Sequence, residues 1–213
     1  MSKLKKIIKK LGLEKPALYF YREINFFLDK YKWKKIKSLD HVCLELGSGA
    51  KKGTNGWITV DLHGADICHD LKKGIPLPDL SVNRIYSSHT FEHISYKNLI
   101  LFINEIYRVL KPGCELSVCV PNAANYINAY YEKRFFLQKG KGYEPAFVNT
   151  GSFIDQVNYI AYMDGKHSYL FDEVNLINTI KTSPFTSVEL RKFDPEIDLA
   201  SRDHESIYAI AIK

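Results

Sequence analysis

The run Val42-Cys43-Leu44-Glu45-Leu46-Gly47-Ser48-Gly49-Ala50 constrains the fold more than any other stretch. A short apolar segment ends in an acidic residue and then a Gly-x-Gly turn. A buried parallel strand delivers its backbone into a tight loop in this way. Glycine admits the positive φ and the close ligand approach that such a loop needs. Many strands end in glycine, so the turn gains meaning from the residues downstream of it. Asp61 ends the next apolar run, Asp70 comes after a third, and a strand–helix–strand unit comes after that.

Taken in order, the apolar runs predict seven strands. They are His41 to Leu46, Trp57 to Leu62, Ala65 to Cys68, Val82 to Ser87, Glu115 to Val120, Ser187 to Phe193 and Ser206 to Ile212. Residues 50–56 are too short and too rich in Gly and Asn for a full crossover helix. Phe91 to Leu110 reads as a helix, with Ile94, Leu99, Phe102, Ile103, Ile106, Val109 and Leu110 in its period and Lys111-Pro112-Gly113 as its stop. Asp172 or Glu173 opens another helix that runs to Thr182. Residues 123–166 break the alternation and read as an aromatic, loop-like insertion, a length that is usually functional. The expected fold is α/β: a Rossmann-like, seven-stranded, mostly parallel sheet with helices on both faces and an antiparallel C-terminal strand. Ligands of such sheets sit beyond the carboxyl ends of the strands. Acidic residues there suit ribose hydroxyls and an adenine amino group. They suit a pyrophosphate badly, since like charges repel.

Composition bounds the alternatives. With 46% apolar residues the chain can bury a full core, and no run of eighteen apolar residues exists to span a bilayer. The N-terminus has no long apolar segment before a small-residue cleavage site. Cys43, Cys68, Cys114 and Cys119 show no Cys-x-x-Cys spacing and read as reduced core residues of a cytoplasmic protein. The net charge of +6 is uneven: residues 1–37 carry +9 and the rest −3. The positive charge therefore belongs to a basic helical extension over residues 1–38, ahead of a domain over 39–213, and nucleic acid is not the expected partner. Within the extension, Leu4, Ile7, Ile8 and Leu11 share one helical face among lysines. That pattern suits a short packing helix, or peripheral contact with an anionic membrane or a partner protein. Pro16 opens a second helical stripe through Leu18, Tyr21, Ile24, Phe27, Leu28 and Tyr31, and Lys30 to Lys37 reads as a basic linker.

Five segments in order carry a resemblance to a known family. They are Glu45-Leu-Gly-Ser-Gly49, Val60-Asp61-Leu62, His69-Asp70-Leu71, Ile85-Tyr-Ser-Ser-His-Thr-Phe-Glu-His-Ile94 and Glu105-Ile-Tyr-Arg-Val-Leu-Lys-Pro-Gly-Cys-Glu-Leu116. Over residues 40–122 the chain resembles the class I S-adenosylmethionine-dependent methyltransferases. The resemblance implies S-adenosylmethionine as cofactor. Leu46 and the loop from Gly47 through Ser48 to Gly49 would lie against its methionine part and ribose. Glu45 would order that loop or meet the methionine amino group, and Asp61, beside Leu62, would accept from the ribose. Asp70 and the Leu71 amide would meet the adenine, and Ser88 and His89 would face the sulfonium. The C-terminal part is loosely similar to methyltransferases of bacterial surface polysaccharide synthesis, which favours a sugar hydroxyl, or another small or glycan acceptor.

Attack by an oxygen acceptor needs removal of its proton, for which His89, His93 and His167 are the candidates. His93 lies four residues after His89, one helical turn away on the same face. His89-Thr-Phe-Glu92-His93 also spells His-x-x-Glu-His, an inverted zinc-peptidase signature. A chance occurrence explains it better inside the five-segment pattern, and no metal is expected. A binding module that keeps the cofactor without turnover is the other alternative. A nicotinamide enzyme fits less well, because Gly47-Ser-Gly49 lacks the third glycine of that fingerprint.

Overall fold

Seven strands lie in one sheet of a computed structural model that describes Pro16, Ile24 and residues 28–136 and 150–213. In chain order the elements begin with helical residues 28–36 (α1). Strands β1 (Cys43–Leu46), β2 (Trp57–Asp61), β3 (Ile67–Cys68) and β4 (Val82–Ser88) come next. After them lie α2 (Tyr96–Val109), β5 (Leu110–Pro121), α3 (Ala123–Tyr131) and α4 (Ile154–Tyr162). Helix α5 (Glu173–Ile180), β6 (Ser187–Leu190) and β7 (Ser206–Ile212) complete the chain. The order across the sheet is β3-β2-β1-β4-β5-β7-β6. Every pairing is parallel except the two made by β7, which runs antiparallel to both β5 and β6. The expected α/β class, strand number and antiparallel last strand are all present.

The register aligns the functional strand ends. Leu46 pairs with Val60, Asp61 with Cys68 and Ser88 with Cys119, so the glycine loop, Asp61, His69-Asp70 and Ser88-His89 emerge along one edge. Strands β2 and β3 extend the sheet on one side of β1, and β4 starts the return on its other side. That reversal is the crevice where doubly wound sheets bind ligands. Beneath it, Leu44, Leu46, Val60, Ile85 and Val118 are essentially inaccessible. Leu99, Phe102, Ile103, Ile106 and Val109 of α2 bury one helical stripe against them, and Leu176 and Ile180 of α5 join the same core. Each such side chain contributes about 1.5–3 kcal/mol by leaving water.

Several local readings change. The stretch Lys30 to Lys37 is not a linker: helix continues to Ile36. Asp29, Trp33 and Ile36 recur at helical spacing and are buried, while the lysines between them face solvent. The Asp29 carboxylate accepts from the Cys68 amide, and Trp33 packs edge-on against His69 with ring centroids 5.5 Å apart. Of the second stripe, Ile24, Leu28 and Tyr31 are exposed, not packed on the domain, while Leu18, Tyr21 and Phe27 lie, like the stretch 3–11, outside the described residues. Helix does not run unbroken from Phe91. A 3-10 turn at Phe91–His93 ends at Ile94, which is extended, and Ser95, which is not helical, before α2 starts at Tyr96. The insertion is partly helical, since α3 and α4 pack Tyr126, Ile160, Phe136 and Tyr159 into a small second core. Residues 137–149 of it lie outside the description. Among the described residues no helix is long and apolar enough to cross a membrane.

Where a crossover helix is expected after the glycine loop, residues 50–56 have none. A carboxylate fixes the segment instead. Asp66 Oδ2 accepts from the Gly53 amide at 2.8 Å, the Thr59 amide at 3.1 Å and lies 2.9 Å from the Thr59 hydroxyl. Burial alone would raise the pKa of Asp66, but those bonds outweigh it and hold the carboxyl below its ordinary value.

Candidate active site

The glycine loop is shaped by sterics on one side and left open on the other. Gly47 sits at φ +77, and a Cβ there would lie 2.0 Å from Thr90 Oγ1. Gly49 sits at φ +67, and a Cβ there would meet nothing within 4 Å. Asp61 ties the loop to β2: Oδ2 accepts from the Gly49 amide at 2.8 Å and Oδ1 from the Leu62 amide at 2.6 Å. A carboxylate has about four acceptor sites, so lone pairs remain on Asp61 for a diol. Glu45 is buried and pairs with Lys51 at 2.7 Å. Burial raises its pKa against the attraction of that lysine. Asp70 caps the turn Leu71–Lys73 by accepting from the Lys72 amide at 3.1 Å.

These groups surround a cavity of 870 Å³ at the strand ends, with Glu45, Gly49, Asp61, Leu62, Asp70 and Ser88 on its wall. Gly47, Ser48, Leu71 and His89 also reach it. Leu46 does not: its side chain is in the core, and its carbonyl accepts from the Ser87 hydroxyl at 2.9 Å. The wall is completed from the far end of the chain. Asp198 is held by Arg191 Nη2 at 2.8 Å, by the Tyr86 hydroxyl at 2.9 Å and by the Asp194 amide at 2.8 Å, which sets Ile197 and Leu199 against the cavity.

A second cavity of 700 Å³ adjoins the first, and His89, His93 and Arg202 line both. Glu92, Tyr159 and His167 face it as well. The three candidate histidines differ sharply in setting. His89 has a left-handed backbone, φ +49, and its Nε2 lies 2.9 Å from Ser206 Oγ. The Ser206 hydroxyl donates to the Arg202 carbonyl at 2.7 Å, so the proton between Ser206 and His89 comes from Nε2. Burial, together with the charge of Arg202 and the two other histidines, pushes His89 down to about 3. So weak a proton acceptor is poorly matched to a hydroxyl at neutral pH. Because the chain turns sharply at His89 and re-enters as a 3-10 turn, His93 is not its neighbour on one helical face.

His93 and His167 come together instead, with ring centroids 4.8 Å apart and planes at 75°. Two backbone bonds bring His167 over the crevice: the Ser168 and Tyr169 amides donate to the Glu92 carbonyl at 2.7 and 3.2 Å. His93 Nδ1 lies 3.0 Å from the Lys166 carbonyl, and His167 Nδ1 lies 2.6 Å from the Ile160 carbonyl. A carbonyl only accepts, so each Nδ1 carries the proton and each Nε2 offers a lone pair. Burial lowers the pKa of His167 against the raising effect of that bond. Beside the rings lies Glu92, fully enclosed, its Oε1 3.9 Å from His93 Nε2, with burial pushing its carboxyl up to about 8. Neither of its oxygens has a hydrogen-bond partner among the described residues.

Sequence patterns do not single out Glu92, Arg202, Thr90 or Lys51 as site residues. Glu92 is visible in the spelled His-x-x-Glu-His, but the structure joins it to His93 and the distant His167, not to a pair of helical histidines. A peptidase of that signature needs both histidines on one helix, and the break after His89 rules this out. Arg202 carries no local signal, because only the antiparallel β7 returns its segment to the crevice.

Residues 37–118 match the family model described as "Methyltransferase domain". No curated protein sequence matches the chain. Among solved structures, a possible histamine N-methyltransferase from Thermotoga maritima superimposes with a TM-score of 0.51 at 16% identity, over 98% of this chain and 99% of that one. A SAM dependent methyltransferase from Aquifex aeolicus aligns over 86% of this chain and 89% of its own, with a TM-score of 0.48 and 15% identity. The family match spans the glycine loop, Asp61, Asp70 and the Glu105–Arg108 segment, and the sheet order accords with it. Residues 37–118 thus match a methyltransferase domain, and the chain shares the fold of a solved SAM-dependent methyltransferase over nearly its whole length.

Proposed function

We propose that the chain transfers a methyl group from S-adenosylmethionine to a hydroxyl of a sugar, a glycan or another small acceptor. The observation that carries this reading is the pair of adjoining cavities. One has the acidic strand ends suited to an adenosine, the other has histidines and the ring of Tyr159, and His89, His93 and Arg202 line both. Lone pairs on Asp61 remain for the ribose, Asp70 stands at the end of β3 for the adenine amino group, and the open side of Gly49 admits close approach to the backbone. Glu45, Gly47, Ser48, Leu62, Leu71 and Ser88 complete that wall, and Leu46 contributes through its backbone. When bound, the cofactor supplies a methyl group already activated on a positive sulfur.

The protein's own task is then to orient an acceptor, exclude water and handle one proton. Tyr159 offers a ring on which an acceptor can lie, and Arg202 offers a cation at the boundary. The hydroxyl proton leaves at the Glu92–His93–His167 cluster, the only group of two imidazoles and a carboxylate that the described residues place on the acceptor side. His89 keeps its turn through Ser206 and forms the partition. The test is transfer of a labelled methyl group to a panel of nucleotide sugars, glycans and small phenols. Labelling of a hydroxyl supports the reading. Cofactor binding with no transfer to any of them would favour the binding module.

A further inference from the structure

We propose that Glu92, His93 and His167 hold a divalent first-row metal ion, Zn²⁺ being the best match, with one coordination position open to the acceptor cavity. Their donor atoms all lie within 4.8 Å of one another. His93 Nε2 is 3.9 Å from Glu92 Oε1. In a tetrahedral zinc site, bonds of about 2.0–2.2 Å place neighbouring donors roughly 3.3–3.5 Å apart. The His93–Glu92 pair must close by about 0.5 Å and the widest separation by no more than about 1.5 Å, and His93 is the most exposed of the three ligands.

Three further features point the same way. Each histidine donates Nδ1–H to a backbone carbonyl, Lys166 for His93 and Ile160 for His167. That is the outer-shell bond that fixes the tautomer of a metal-bound imidazole and aims Nε2 at the ion. Glu92 is completely buried, and neither carboxylate oxygen has a hydrogen-bond partner among the described residues. A buried carboxylate without a partner is costly, and a cation between it and two imidazoles removes that cost. Finally, the ligands are tied together in the backbone, since the Ser168 and Tyr169 amides both donate to the Glu92 carbonyl. Two neutral imidazoles and one carboxylate are the donor set of zinc and its first-row neighbours, not of magnesium or calcium. Three protein ligands also leave a position for a fourth.

That fourth position gives the ion a role that rests on the methyl-transfer reading, although the ligand set does not. A hydroxyl that coordinates there has its pKa lowered. Its proton passes to solvent water, and the oxygen retains the electron pair that attacks the methyl carbon.

The test uses the full chain, stripped with a chelator and titrated with Zn²⁺ by calorimetry, with Co²⁺ absorption as a second probe. One equivalent is expected per chain, bound at least about 100-fold more weakly by E92Q, H93N and H167N, more than outer-shell changes cost. H41N, far from the cluster, keeps wild-type binding. Circular dichroism identifies any variant that fails to fold; the partly exposed H93N and the wild-type Co²⁺ spectrum then decide. No stoichiometric binding, or binding retained in all three variants, overturns the site. Methyl transfer that survives the chelator unchanged also overturns it and leaves the function standing. Stoichiometric zinc without S-adenosylmethionine binding keeps the site and removes the function.

Discussion

Gly47 and Gly49 differ by two positions, and replacing each with alanine separates the loop's fold from its ligand. Both have positive φ, +77 and +67, so each alanine incurs about 1–2 kcal/mol of left-handed strain. At Gly47 the new Cβ also meets Thr90, at 2.0 Å from Oγ1, 2.4 Å from Cγ2 and 2.7 Å from Cβ. Thr90 is packed against the loop, with Oγ1 3.2 Å from the Gly47 carbonyl and 3.1 Å from that of Ser88. The collision adds the cost of overpacking, about 1–3 kcal/mol. At Gly49 the Cβ enters open space, so strain is the whole of the loss in stability. Urea denaturation should therefore show Gly47→Ala less stable than Gly49→Ala by about 1–3 kcal/mol. Calorimetry with S-adenosylmethionine should show the reverse emphasis. Gly49→Ala fills the side from which the cofactor approaches and should weaken binding at least tenfold, about 1.4 kcal/mol. Equal stability of the two variants would refute the steric argument. Wild-type cofactor affinity in Gly49→Ala would refute the placement of the cofactor against this loop.

Two other perturbations probe the scaffold. Asp66→Ala removes three hydrogen bonds from the segment that replaces a crossover helix and should cost about 2–4 kcal/mol in urea titrations at neutral pH. Because the folded-state pKa of Asp66 is held below its unfolded value, this contribution is present above about pH 4 and is lost as pH falls through the folded value. The difference between wild type and variant should shrink on acidification; a constant difference would contradict the assignment. Asp198→Ala leaves the Arg191 guanidinium and the Tyr86 hydroxyl without their buried partner and should cost about 3–5 kcal/mol in thermal or urea unfolding. A loss below about 1 kcal/mol would mean that the far wall of the cofactor cavity is held by something else.

How much of the fold is legible in the sequence depends on the range of each signal. Strands are short, apolar and bounded by glycine, proline or charge, so their number and order show in the sequence. The antiparallel direction of β7 is not legible in its own run, because the residues between β6 and β7 are enough for a crossover, and it is expected only as part of the fold class. Asp172 is readable as a helix start because capping is local: its Oδ1 accepts from the Asn175 amide at 2.7 Å. The break at Ile94-Ser95 is not readable, since the apolar period of α2 continues smoothly through Ile94 and masks a turn set by the positive φ of His89. The basic stretch at 30–37 misleads because five of its eight residues are lysine, and only Asp29, Trp33 and Ile36 reveal a buried side. Within the site, the residues on strand ends are visible because each ends a pattern. Glu92 and Arg202 are not, because what they do depends on residues far along the chain: Glu92 receives Ser168, and Arg202 shares a wall with His89. Glu105 and Arg108 show the intermediate case. Their spacing belongs to a recognisable segment, but only the structure shows why: Arg108 Nη2 donates to the Ile75 carbonyl at 2.8 Å and Glu105 accepts from the Ile75 amide at 3.0 Å, pinning the loop before β4.

Calorimetric titration of S-adenosylmethionine into the full chain, beside Asp61→Ala, tests the central claim most directly. Asp61 supports the glycine loop through Gly49 and Leu62 and faces the cavity. One binding site per chain is predicted, weakened at least about tenfold in Asp61→Ala, the equivalent of one hydrogen bond to a charged acceptor. No binding by the wild-type protein, or equal binding by the variant, would contradict the account.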